Sequence, residues 1–217
     1  MSVRTVLFDL DGTLADTGPD LAYALNCILA EEQRAALPYE RIRPKVSHGG
    51  AALLHLGFPE LNVDGAQFGA LRNRMLAVYR ANIAQHTRLF PGTDVVLDTI
   101  EARGLNWGVV TNKPAWLTEP LMEQLDLTRR AASIVSGDST AHKKPHAAPM
   151  LLACHQTGST APQCLYVGDA QRDIQAGRNA GMTTLVALFG YLGDEDRPDD
   201  WGADGLINTP QEILNWI

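Results

Sequence analysis

The spacing of apolar and polar positions divides the chain into two kinds of segment. Residues 5–10 form a nearly continuous apolar run, which is typical of a strand covered on both faces. Between about residues 19 and 82, apolar residues recur three and four positions apart, and prolines and a Gly-Gly pair interrupt them. That spacing predicts several short helices, and no good strand pattern appears in the same stretch.

The pattern changes after Pro91-Gly92 to an alternation of strands and helices. Strands are predicted at 107–111, 133–136, 164–167 and 183–187, and helices at 93–103, 117–125, 147–155 and 173–180. Thr209, followed by proline, predicts the start of a last short helix. Repeated strand–helix alternation predicts a parallel sheet with helices on both faces. We therefore predict a core made of residues 1–14 and 84–217, with a helical unit, residues 15–83, inserted into it.

Composition and charge narrow the class of protein. The chain has 217 residues, 45% hydrophobic and 20% charged, and a net charge of -7 without any basic run, so a nucleic-acid partner is not expected. No stretch approaches the roughly 18 apolar residues of a membrane span, and the apolar run at the N-terminus is too short for a signal peptide. Three cysteines without a C-x-x-C pair predict free thiols. We expect a cytoplasmic monomer or small homo-oligomer.

Polar residues that could form a site follow the predicted strands. In an open parallel sheet, ligands bind at the carboxyl ends of the strands. The candidates at these ends are Asp9, Asp11, Thr13, Thr111, Asn112, Lys144, Asp169 and Asp173. Four carboxylates and a lysine, without histidine among them, suit an oxygen-liganded cation and an anionic substrate.

Asp9 and Asp11 are the central candidates. Residues two apart on a strand point the same way, so both carboxylates can reach one site if strand geometry continues through Asp11. One ionised carboxylate beside a divalent cation can attack phosphorus, and the other can protonate the leaving oxygen and then activate water. Gly12 allows a tight turn, and Thr13 can contact phosphate oxygens. An isolated Asp-x-Asp is more typical of a solvated turn than of a catalytic site, but Phe-Asp-Leu-Asp-Gly-Thr-Leu after an apolar strand is much more specific to the site.

The next two strand ends offer phosphate contacts. Thr111 and Asn112 either bind a phosphate group or cap a turn. Lys144 is either a surface lysine or the group that neutralises phosphoryl oxygens and keeps Asp9 ionised. We choose Lys144 over Lys143 because it directly precedes a proline.

The last strand end offers two further carboxylates. Asp169 comes directly after its predicted strand and can bind a metal ion. Asp173 lies at the start of the following helix, where the helix dipole favours a carboxylate whatever its role.

Together these motifs resemble the haloacid dehalogenase superfamily of phosphatases. The family pattern of D-x-D-G-T, a strand-end Thr or Ser, a Lys and G-D-x-x-x-D is matched in the same order. The resemblance implies an α/β, Rossmann-like parallel sheet core with an inserted all-helical cap, and a Mg²⁺-dependent phosphomonoesterase with an aspartyl-phosphate intermediate. It makes Asp9 the nucleophile and a metal ligand, and Asp11 the general acid/base, with its backbone carbonyl on the metal. Asp169 becomes a direct ligand, and Asp173 acts through water.

Resemblances to smaller groups within this superfamily bear on the substrate, which we expect to be a small phosphorylated metabolite. Residues 14–17 and Lys144-Pro145 resemble the phosphoglycolate phosphatase group, although the second proline usual after that lysine is missing. Residues 107–114, together with 190–191 and 201–204, resemble a proteobacterial branch in which some members act on N-acetylmuramic acid 6-phosphate. We expect the cap loop 47–51 to select the substrate, with His48 either a donor to it or a surface residue.

Three other activities compete with the phosphatase. A phosphosugar mutase would use the same groups and return the phosphoryl group to the sugar. A dehalogenase is disfavoured by Asp11 and Gly12, since halide displacement needs no second acid. An inactive binding module is disfavoured because unused clustered carboxylates repel one another.

Overall fold

A computed structural model describes residues 2–217. The strands are β1 (Thr5–Phe8), β2 (Ala15–Asp16), β3 (Arg88–Leu89), β4 (Asn106–Val110), β5 (Ser133–Val135), β6 (Cys164–Gly168), β7 (Thr183–Ala187) and β8 (Gly205–Ile207). The α-helices are α1 (Gly18–Glu31), α2 (Tyr39–Ile42), α3 (Gly49–Gly57), α4 (Ala66–Ala81), α5 (Thr93–Ala102), α6 (Ala115–Gln124), α7 (Ala148–Thr157) and α8 (Gln171–Ala180). Short 3₁₀ helices cover Arg43–His48, Ala161–Gln163, Pro198–Trp201 and Pro210–Asn215.

The main sheet has six parallel strands in the order β5-β4-β1-β6-β7-β8. The predicted α/β fold is therefore confirmed. The edge strand β8 was not predicted, because its three residues are too few to show a pattern. The helix predicted after Thr209 is a 3₁₀ helix. Because β1 lies between β4 and β6, the candidate residues that follow these three strands meet at one edge of the sheet.

The continuous apolar runs of the central strands follow from burial on both faces. Val6 and Phe8 pack into one hydrophobic cluster, and Leu7 between them packs into the other. Helices α7 and α8 cover the Leu7 face, and α5 packs against β4. The central strands β1, β4 and β6 contain no charged side chain, because such a group would be buried on either face, so the charged groups of the site lie beyond the strand ends.

The inserted segment between β2 and β3 contains helices and no strand in the structure. Strand β2 pairs antiparallel with β3, and this two-residue ribbon lies where the chain leaves and re-enters the core. Next to it, the buried Asp20 carboxylate accepts hydrogen bonds from the His86 N–H at 3.0 Å and from the Thr87 N–H and hydroxyl at 2.9 and 2.7 Å. The two connections are thus held side by side.

Two general expectations can be compared with the structure. All three cysteines are free, two of them buried and Cys27 half-buried. Among residues 2–217, no helix combines the length and the apolar character needed to cross a bilayer.

Candidate active site

Asp9 lies directly after β1, which ends at Phe8 rather than at Leu10. Its N–H donates to the Val167 carbonyl at 2.9 Å, which fixes its backbone to β6. Its Oδ1 accepts a hydrogen bond from the Leu10 N–H at 2.7 Å and lies 2.9 Å from Lys144 Nζ. Burial acts to raise the pKa of the Asp9 carboxyl, but the charges of Lys144 and Arg172 outweigh it and hold the pKa below its ordinary value. Asp9 is therefore a buried carboxylate that stays ionised.

Lys144 has no solvent-exposed side-chain surface. Its Nζ lies 2.9 Å from Asp9 and 2.7 Å from Asp173 Oδ1, and it donates to the Val110 carbonyl and the Tyr166 hydroxyl, both at 2.8 Å. One ammonium group thus forms ion pairs with two buried carboxylates.

The backbone of Lys144 is held by the side chain of Asn112. The Lys144 N–H donates to Asn112 Oδ1 at 3.0 Å, and Asn112 Nδ2 donates to the Lys144 carbonyl at 3.1 Å. The neighbouring Lys143 is exposed. Lys144, rather than Lys143, is therefore the lysine that reaches Asp9, and Asn112 uses its amide to orient it.

Three carboxylates form a compact buried cluster. Asp9, Asp169 and Asp173 each offer one oxygen within 4.8 Å of the others. Burial, followed by the charges of Asp9 and Asp173, raises the pKa of Asp169 to about 7. Burial and the charge of Asp9 also raise the pKa of Asp173. A set of clustered carboxylate oxygens with more negative charge than Lys144 can balance fits a hard divalent cation.

The Asp11 carboxylate is not part of that cluster. Its Oδ1 pairs with Lys113 Nζ at 2.8 Å and accepts a hydrogen bond from the Thr17 hydroxyl at 2.6 Å. The strand geometry expected through Asp11 does not occur, because the chain turns after Asp9 and Gly12 adopts a φ of +86°. Burial disfavours the charged form of Lys113, but the negative charge of Asp11 outweighs this effect and raises the pKa of the lysine. Asp9 and Asp11 thus line one cavity with separate lysine partners.

The two candidate threonines are both buried. Thr111 lines the cavity, and its hydroxyl accepts a hydrogen bond from the Lys113 N–H at 3.2 Å. The Thr13 hydroxyl donates to Asp169 Oδ1 at 3.5 Å.

The inserted helical segment contacts the cluster directly. The Ser47 hydroxyl donates to Asp169 Oδ2 at 2.6 Å, and Arg172 Nη2 donates to the Ser47 carbonyl at 2.6 Å. Arg43 Nη2 donates to the Gly190 carbonyl at 2.8 Å. The segment is therefore closed over the site in this structure.

His48, predicted as a possible substrate donor, is exposed and lines the cavity. Partial burial, then the charges of Arg172 and Lys45, lowers the pKa of its imidazole. It is therefore a neutral group near pH 7.

A cavity of about 510 Å³ lies between the helical segment and the core. Its walls contain Asp9, Asp11 and Thr111 at the strand ends. They also contain residues of α4 and α6, namely Arg72, Asn73, Leu76, Tyr79, Trp116 and Leu117.

Sequence reasoning did not select Lys113, Arg172 or Ser47. Lys113 could have been inferred from charge balance, since two adjacent strand-end aspartates need more than one cation. Arg172 stands inside the G-D-x-x-x-D motif, which is a local signal. Ser47 has no such signal, because its contact with Asp169 joins residues 122 positions apart.

Comparison with known proteins decides the family. The sequence model of the haloacid dehalogenase-like hydrolase family matches residues 6–187 of this chain. The chain belongs to this family. The family inferred from the motifs is thereby confirmed, and the haloacid dehalogenase-like fold accounts for the order of the site residues at the strand ends.

Relatives within this family carry two names. A phosphoglycolate phosphatase of Xylella fastidiosa is 43% identical over 95% of this chain and 90% of its own. An N-acetylmuramic acid 6-phosphate phosphatase of Pseudomonas putida is 40% identical over 100% of this chain and 97% of its own. The crystal structure of a predicted phosphoglycolate phosphatase from Haemophilus somnus superposes with a TM-score of 0.87, at 26% identity, and covers 99% of this chain and 98% of its own.

Proposed function

We propose that this chain is a Mg²⁺-dependent phosphomonoesterase that hydrolyses a small phosphorylated metabolite through an aspartyl-phosphate on Asp9. The observation that carries the proposal is a buried carboxylate, kept ionised by Lys144, that lines the same cavity as Asp11. The names of the full-length relatives support a phosphoric monoester hydrolase.

The division of roles follows from the contacts. Leu10 N–H and Lys144 both bind Asp9 Oδ1, which leaves Oδ2 to attack phosphorus. Asp11 enters this step in its protonated form, and as the bond from phosphorus to the leaving oxygen breaks, it gives that oxygen its proton. Asp11 then takes a proton from water, the resulting hydroxide attacks phosphorus, and inorganic phosphate leaves Asp9.

We propose that Asp9, Asp169 and the backbone carbonyl of Asp11 would hold the metal ion. Asp173, which pairs with Lys144, would support the site without binding the metal directly. When bound, Mg²⁺ would neutralise phosphoryl oxygens and offset the repulsion within the carboxylate cluster. Thr111 and Thr13 remain the proposed phosphate donors. Asn112 supports them by holding Lys144.

We further propose that residues 15–83 act as a cap over the core. The cap would hinge at the β2–β3 ribbon, next to the hydrogen bonds between Asp20 and Thr87. The Ser47 and Arg172 contacts would exclude water from Asp9 in the closed form. The cytoplasmic location and the oligomeric state remain predictions.

The leading substrate is 2-phosphoglycolate, because several similar relatives are named phosphoglycolate phosphatase. N-acetylmuramic acid 6-phosphate is a second candidate, favoured by the size of the cavity. About 510 Å³ lies within the range of pockets that enclose ligands larger than a two-carbon acid.

Asp9→Asn tests the covalent mechanism. It keeps the side-chain shape and removes the nucleophile, so hydrolysis of p-nitrophenyl phosphate should fall by at least about 10³-fold while the fold is retained. Asp94→Asn, at an exposed position in the first turn of α5, is the matched control and should keep full activity. Substantial turnover by Asp9→Asn would refute the aspartyl-phosphate.

Two further measurements separate the remaining possibilities. EDTA should abolish activity and Mg²⁺ should restore it, whereas activity that resists the chelator would contradict the metal assignment. Release of inorganic phosphate from a sugar phosphate distinguishes a phosphatase from a phosphosugar mutase, which would return an isomeric sugar phosphate.

A further inference from the structure

The cavity has a reacting end and a far end. Tyr79 on α4 marks the reacting end, since its ring centroid lies 4.7 Å from Nζ of Lys113, the partner of Asp11. Arg72 precedes Tyr79 by almost two helical turns and lines the same cavity, as does Leu76 between them. With a rise of about 1.5 Å per residue, the backbone of Arg72 lies roughly 10 Å along the helix axis from that of Tyr79. Arg72 therefore belongs to the end away from the phosphate.

The far end carries positive charge that the protein does not neutralise. Within residues 2–217, Arg72 forms no salt bridge, and it lines the cavity. By contrast, Asp9 and Asp11 are paired with lysines of their own. The part of the ligand that reaches Arg72 should therefore be an anion, and a guanidinium matches the two oxygens of a carboxylate.

The core wall of the same cavity presents an exposed aromatic ring. Trp116 lies in the first turn of α6, three residues after Lys113, and its side chain is 47% exposed. An indole that remains exposed beside a polar site offers a flat apolar face and suits the ring of a sugar.

We propose that Arg72 and Trp116 recognise the leaving group: Arg72 binds a carboxylate on it, and Trp116 stacks on its sugar ring. This inference rests on the proposed phosphatase activity and favours the second candidate class, a phosphorylated sugar acid, over 2-phosphoglycolate. A two-carbon phosphoester holds its carboxylate beside the phosphate and has no ring, so it engages neither contact fully.

Three substrates isolate the two contacts. N-acetylmuramic acid 6-phosphate has both the ring and a lactyl carboxylate, N-acetylglucosamine 6-phosphate has only the ring, and 2-phosphoglycolate has only a carboxylate. The wild-type protein with Mg²⁺ should show a higher kcat/KM for N-acetylmuramic acid 6-phosphate (the sugar acid) than for N-acetylglucosamine 6-phosphate (the neutral sugar, which has no carboxylate).

Arg72→Gln should lower the kcat/KM ratio of the sugar acid to the neutral sugar by about 10- to 100-fold, since it removes a charged hydrogen bond. Arg80→Gln is the matched control, because Arg80 is an exposed arginine of α4 that does not line the cavity, and the ratio should not change.

Trp116→Ala should lower the ratio of the neutral sugar to 2-phosphoglycolate by roughly 3- to 10-fold, and Trp116→Phe should restore most of it. Tyr23→Ala, which removes an aromatic ring of similar exposure on α1, should leave the ratio unchanged.

The possible failures are distinct. A wild-type protein that releases no phosphate from any of these esters or from p-nitrophenyl phosphate refutes the proposed function itself. An active wild type without preference for the sugar acid overturns the Arg72 assignment alone. An equal loss on all substrates in the folded Arg72 or Trp116 variants likewise overturns the recognition role of that residue.

Discussion

Replacing Lys144 by methionine tests the electrostatic centre of the site. Methionine keeps much of the length of lysine and removes only the charge and the donor. In the wild-type protein the ammonium group lies 2.9 Å from Asp9 and 2.7 Å from Asp173, and all three side chains are almost completely buried. Lys144→Met leaves both carboxylates without their cation.

The size of the effect follows from that burial. Breaking a buried ion pair by removing one partner costs about 3–5 kcal/mol, because a buried charge remains uncompensated. For a domain of this length, 1 kcal/mol corresponds to about 2–4 °C in Tm, so we expect a decrease of roughly 6–20 °C. In addition, loss of the Lys144 charge should raise the pKa of Asp9 and reduce phosphatase activity.

The assay is thermal unfolding in EDTA, because bound Mg²⁺ would neutralise part of the same charge. Lys143→Met, one residue away and exposed, is the control and should change stability by at most about 0.5 kcal/mol. Adding Asp173→Asn to Lys144→Met should recover part of the loss, since one unpaired carboxylate disappears. Equal Tm values for the two methionine variants would refute the reasoning.

Two further predictions concern Asp169. Burial and then Asp9 raise its pKa to about 7 from 3.8, so in EDTA the folded protein binds more protons than the unfolded chain between about pH 4 and 7, and stability falls as pH rises through that window. Mg²⁺ should therefore raise Tm more at pH 8 than at pH 5; an equal increase would contradict this, and Asp169→Asn should remove the difference. Gly12→Ala would add a Cβ 2.1 Å from Asp169 Oδ2, at a φ of +86°. Urea unfolding should show a larger loss than for Gly104→Ala, which has a φ of +68° but no neighbour within 4 Å and should cost about 1–2 kcal/mol; similar losses would exclude the clash.

The sequence was sufficient for the fold class because burial imposes a pattern on each element separately. Residues 183–187 were predicted as a strand and form β7, since an apolar strand records its burial locally. The ribbon between β2 and β3 was not predicted, because two residues in each strand carry no period. Asp9, Asp169 and their neighbours could be selected because strand ends are readable from the chain, whereas Lys144, which follows β5 only after a loop, was selected by the proline after it.

Which charges meet at the site depends on the tertiary structure. The sequence by itself determined that carboxylates lie at the carboxyl edge of a parallel sheet, since Asp9 and Asp169 each follow an apolar run. The sequence offered Lys144 as a possible partner of Asp9, and the folded chain confirms that contact. Only the folded chain assigned Lys113 to Asp11, because the turn at Gly12 separates two aspartates that an extended strand would align. Only the folded structure shows that Ser47 hydrogen-bonds to Asp169 and that Arg72 and Trp116 line the same cavity. Contacts between distant residues depend on packing geometry, which local patterns of hydrophobicity do not encode.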